Sequence, residues 1–157
     1  MSTIRLLSFA CLGAASLAFG SLLPAGSAYA QSTGDCPMLA ADSGLAWKQL
    51  DGPGFTFCRA LRADGSEAFA VTISKDSPFK PRRGDRVESA SIDGYDVFWY
   101  RSEVAANPDA LVRETLLELA PDRVAHISLQ ATSQEQLAES LKQVQGIDFR
   151  GKRLSSN

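Results

Sequence analysis

His126 is the single histidine of this 157-residue chain, and it is the first place to look for acid–base chemistry. A Ser–His–Asp nucleophile needs a serine on a sharp strand-to-helix turn, and no G-x-S-x-G occurs. A zinc centre needs several His or Cys ligands at metal spacing, and the chain has no second histidine. The expectation is a partly buried strand histidine. The glycines match neither a phosphate-cradling loop nor a dinucleotide fingerprint, so no cofactor and no metal is expected. Carboxylates come in pairs, Glu114 with Glu118 and Asp93 with Asp96. Spacing alone brings neither pair to a common cleft, so glycosidase chemistry is not supported. No catalytic residue is assigned.

Charge clusters elsewhere. Lys75, Lys80, Arg82, Arg83 and Arg86 fall in one stretch with Phe79 among them. Pro78, Pro81 and Gly84 exclude a regular central strand there, which makes the stretch a surface loop. On one reading Lys80, Arg82, Arg83 and Arg86 contact an acidic partner or an anionic envelope polymer, with the gain mostly in association rate. On the other the loop is simply solvated, its charge offset by Asp76 and Asp85. Arg83-Gly84-Asp85 spells the integrin-recognition tripeptide, a match that three residues reach by chance. Tyr95, Phe98, Trp99 and Tyr100 form a second cluster. Aromatics on an outer sheet face bind sugars or peptides; packed under a helix they are core. The core reading is taken.

The compartment follows from the start of the chain. Arg5, the apolar run Leu6 to Leu23, and Ala28-Tyr29-Ala30 read as a secretory signal peptide over 1–30, cut near Ala30. Gly13, Gly20, Pro24 and Gly26 interrupt the run, against a membrane anchor. Phe9 and the short stretch before Cys11 argue against lipidation there. The expected address is periplasmic or secreted. Arg5 is the one charged residue removed, so the remaining 127 residues keep 15 cations and 18 acids, a formal charge of −3. That excludes the basic face of a nucleic-acid binder and gives no support to binding an anionic membrane. Cys36 and Cys58 then remain as an even pair in an oxidising compartment, and one disulfide is expected. Without a C-x-x-C, a redox role is not indicated.

The elements that must position these residues follow from pattern. Residues 31–46 read as an irregular entry, followed by a short apolar piece around Leu45, Trp47 and Leu50. Turn clusters at 51–54 and 63–66 bracket strands over 55–61 and 67–74. Asp93-Gly94 joins strands 87–92 and 95–101 in a tight hairpin. Residues 111–119 and 124–130 are taken as a second hairpin around Pro121-Asp122, a type I turn with Pro at its second position. The alternative for 107–119 is a helix, with Asn107 as cap and Pro108 at the first position, which would align Leu111, Thr115 and Leu119. Thr132 and Glu135 read as a capping box for a helix from Ser133 to about Gln145, with Leu137, Leu141 and Val144 as its apolar stripe and Gly146 as its stop.

The order of elements from Val87 onward resembles the small α+β fold shared by PsbP-like and Mog1-like proteins. The residues carrying this are the Asp93-Gly94 hairpin, L-V-R-E-T-L-L-E-L at 111–119, V-A-H-I-S-L-Q-A-T at 124–132, S-Q-E-Q-L-A-E-S-L, and the closing I-D-F at 147–149. The likeness covers the C-terminal half only. It implies a non-enzymatic adaptor or assembly factor that binds another protein, and it supplies no site residues.

The sequence therefore predicts one α+β domain over 31–157, with 150–157 frayed. Its core is an antiparallel sheet of five to six strands with the C-terminal helix on one face. The expected function is an exported, non-catalytic periplasmic protein that binds a protein partner in the envelope, in an adaptor, assembly or immunity-type role. The alternatives are a cell-wall hydrolase inhibitor or small hydrolase, and a small-ligand carrier using the aromatic sheet face.

Overall fold

The structure, a computed structural model, describes residues 35–149. The signal segment, its cleavage point and the 150–157 tail lie outside the described residues. Seven strands and one helix follow in order: β1 (Ala46–Gly52), β2 (Phe55–Leu61), β3 (Glu67–Ser74), β4 (Arg86–Ile92), β5 (Tyr95–Val104), β6 (Asn107–Ala120), β7 (Arg123–Ala131) and α1 (Gln134–Gln145). They form one antiparallel sheet in the order β1-β2-β3-β7-β6-β5-β4 with one packed helix. The α+β class holds, but the strand count is seven rather than five to six. The additional strand is β1, the piece around Trp47. As an edge strand it buries little, so its sequence lacks a full apolar face.

Local chemistry sets the turns. Asp93 and Gly94 have φ of 49° and 80°, the pair of positive values that a two-residue hairpin turn requires. Residues 107–119 are strand, because Leu111 to Glu118 pair with β7 from Ala131 to Val124. Pro108 falls outside that ladder, in a bulged stretch, where its missing N–H costs no pairing. The turn after β6 is not type I: Asp122 has φ 58°, where a type I turn has about −90°. The helix cap is also displaced by one residue. Ser133, not Thr132, accepts from the Gln136 N–H at 3.2 Å. The Gln136 side chain in turn reaches back to the Thr132 N–H at 2.7 Å, satisfying a second free donor.

One face of the sheet is covered. Cys58, Val71, Ile127, Thr115 and Trp99 lie in register across it from β2 to β5, and all are buried. Helix α1 packs over β7, β3 and β4, burying Leu137, Ser140 and Val144. The Arg62 guanidinium donates to Ser140 Oγ at 2.8 Å, tying the β2–β3 turn to the helix. The entry segment lies alongside: Met38 and Asp148 form an antiparallel bridge, and Trp47 Nε1 donates to the Pro37 carbonyl at 2.6 Å. The Cys36–Cys58 disulfide pins that segment to β2, with its Cα atoms 5.7 Å apart. Such a bridge is consistent with an oxidising, extracytoplasmic compartment. Among the described residues no helix is long and apolar enough to cross a membrane.

Candidate functional site

The opposite face carries the polar chemistry. Register places Lys48, Arg59, Ala70, Ser128, Glu114, Tyr100 and Arg86 in one row across all seven strands. A second row holds Phe57, Thr72, His126, Leu116 and Phe98. Because β7 pairs with β3, the chain leaving β3 must pass β7, β6 and β5 to reach β4 at the far edge. Residues 75–85 make that crossing as a strap over this face, ending in a single 3₁₀ turn at Arg83–Asp85.

Phe79 anchors the strap. Its ring stacks on His126, 4.9 Å between centroids and 6° between planes, and meets Tyr100 edge-on at 5.9 Å. Beneath it His126 Nε2 and Glu114 Oε1 are 3.0 Å apart, with both side chains largely shielded from water. These two lie diagonally across the β6–β7 pair, close enough for such contact. At its root the strap is fixed by the Ser77 hydroxyl, which accepts from the Phe79 N–H at 3.1 Å, and by Lys80 Nζ donating to the Ser77 carbonyl at 2.7 Å.

Between strap and β5 lies a groove of about 360 Å³. Tyr100, Ser102 and Glu114 form its floor, Phe79 its inner wall, and Lys80 and Arg82 part of its rim. Of the residues expected to make contacts, Lys80 and Arg82 therefore border the groove, while Arg83 stands exposed at the strap's end. Arg86 belongs to β4, its guanidinium 3.9 Å over the Phe98 ring and 3.3 Å from the Tyr100 hydroxyl. The structure thus draws the four cations toward one side of the open face. The aromatic cluster divides: Trp99 is core, as expected, whereas Phe98 is exposed and Tyr100 only partly covered. The Glu114–His126 pair was missed. The two residues do share a face by alternation, but the strand register that joins them is not written in either segment alone.

Hydrogen bonding from His126, then from Ser102, holds the Glu114 carboxyl below the usual carboxylate range, with burial opposing. A carboxylate whose folded pKa is depressed contributes stability above its unfolded value, and that contribution is lost as pH falls through the lower folded value. His126→Gln is therefore expected to flatten the acid limb of the stability curve. Thermal midpoints of wild type and variant, measured from neutral pH downward, check this. Their difference should shrink as Glu114 becomes protonated in both; a difference independent of pH would show that the pair is not the source.

Comparison of the chain with protein-family models finds no match, and comparison with curated proteins and with solved structures finds none either. What fold and site define is a seven-stranded antiparallel sheet with a helix on one face and a basic strap clamped across the other. Among the described residues no group of three or more His, Cys, Asp or Glu side chains is placed to hold a metal ion.

Proposed function

We propose that this is an exported, non-catalytic protein of the cell envelope, working in the periplasm, that binds a protein partner through the outer side of the strap. The observation that carries this reading is the strap's anchoring. Phe79 is locked between His126 and Tyr100, so the cations beside it are presented from a fixed backbone and lose less entropy on binding. Arg82, Arg83 and Arg86 are exposed there, and the exposed side chains of Val87 and Phe98 adjoin Arg86. Apolar surface beside charge suits a partner patch that is acidic with an apolar centre. The resemblance to PsbP-like and Mog1-like adaptors points the same way, and the disulfide suits the compartment.

The test is in-cell photo-crosslinking from position 84, where an added side chain meets no neighbour within 4 Å, with position 48 on the opposite sheet edge as control. One saturable protein adduct from 84 and none from 48 is the expected result. Reversing charge with Arg82→Glu and Arg83→Glu should slow association roughly tenfold or more and remove much of its salt dependence. An adduct equally strong from both positions, or one indifferent to charge reversal, would reject the assignment.

A further inference from the structure

The inner side of the strap differs from its outer side. Around the groove two cations, Lys80 and Arg82, are matched by two carboxylates, Asp85 and Glu114. A ligand of either net charge is attracted by one set and opposed by the other at similar range. Hydroxyl groups meet no such conflict, because each both donates and accepts. A vicinal pair of hydroxyls can donate to a planar carboxylate or accept from a planar guanidinium through two parallel bonds.

Glu114 is set up for this use. Its Oε1 is engaged by His126 at 3.0 Å and its carboxylate also accepts from Ser102, which together restrain the group. A carboxylate has about four acceptor positions, and Glu114 still lines the groove. Ser102 adds a hydroxyl to the floor. Phe79 and Tyr100, inclined at 66° to one another, offer the apolar surface on which the C–H side of a sugar ring can lie. The volume of about 360 Å³ is at the small end of ligand sites, room for one or two rings and not for a folded domain.

We propose that the groove between strap and β5 is a binding site for a neutral saccharide of one or two rings. It meets the strap's outer contact surface at Arg82, whereas Arg83 lies outside the groove.

The experiment is an NMR titration of the protein, disulfide intact, with N,N′-diacetylchitobiose, cellobiose and maltose. Succinate and putrescine serve as a dianion and a dication of comparable size. At least one disaccharide is expected to give saturable shifts in the amides of Phe79, Tyr100, Ser102 and Glu114, with a millimolar dissociation constant. Arg82→Ala, an exposed position whose loss should not disturb folding, is expected to weaken that binding roughly tenfold. Arg83→Glu should leave it unchanged while weakening the partner adduct from position 84, which separates failure of this site from failure of the docking surface. No saturable shift with any of the three disaccharides would overturn the proposal. So would shifts centred away from the groove, or tighter binding of succinate or putrescine.

Discussion

Replacing both Cys36 and Cys58 with alanine is expected to destabilise the fold by about 3 kcal/mol. The bridge closes a loop of sequence separation 22, and in the chain-entropy account its main effect is to restrict the unfolded chain. The folded state has other ties for the same segment. Trp47 Nε1 bonds the Pro37 carbonyl at 2.6 Å, and Met38 and Asp148 exchange backbone bonds of 2.8 and 3.0 Å. The variant should therefore keep its native near-ultraviolet circular dichroism while its thermal midpoint falls by roughly 10–15 °C. Reductant added to the wild type should reproduce the shift. A fall of under about 1 kcal/mol would mean that the non-covalent ties alone hold the entry segment, with little loop entropy to recover. Complete loss of near-ultraviolet structure would mean that Cys58, fully buried in β2, is needed to form the covered face at all.

Local signals carried much of this fold and little of its site. Phe55–Leu61 and Glu67–Ser74 are strands with the bounds that alternation and flanking turns imply. Asp93-Gly94 marks its hairpin because few other residue pairs accept two positive φ values. Where two local readings compete, local chemistry did not decide. Thr132 with Glu135 and Ser133 with Gln136 both satisfy the capping pattern, and the chain uses the second. The pairing of β3 with β7 joins Val71 to Ile127 across more than fifty intervening residues, and no turn chemistry specifies it. Yet that pairing sends the strap across the open face. It is why Phe79, legible only as an aromatic in a basic loop, rests on His126, legible only as a strand histidine. The basic loop was readable as surface; its rigidity was not, because rigidity here is a tertiary property.

The core beneath the site offers the second large effect. Trp99 is 1 % exposed and sits on β5 back to back with the open-face residues Phe98 and Tyr100. Trp99→Ala is expected to cost about 3–5 kcal/mol through lost burial and the cavity left behind. Trp99→Phe should cost far less than ring volume alone suggests. Among the described residues the buried indole Nε1 finds no hydrogen-bond partner, a situation that costs about 1–3 kcal/mol, and phenylalanine removes that donor. Urea denaturation followed by far-ultraviolet circular dichroism compares the two directly, and the expected gap between them is at least about 2 kcal/mol. Equal losses would show that the indole N–H is satisfied by an internal water and contributes to stability. The functional consequence runs through β5, which places Tyr100 and Ser102 in the groove floor and Phe98 beside Arg86. Loosening its covered side should weaken both the photo-adduct from position 84 and the disaccharide shifts in Trp99→Ala. Trp99→Phe should keep both, because the strand remains packed against the same core.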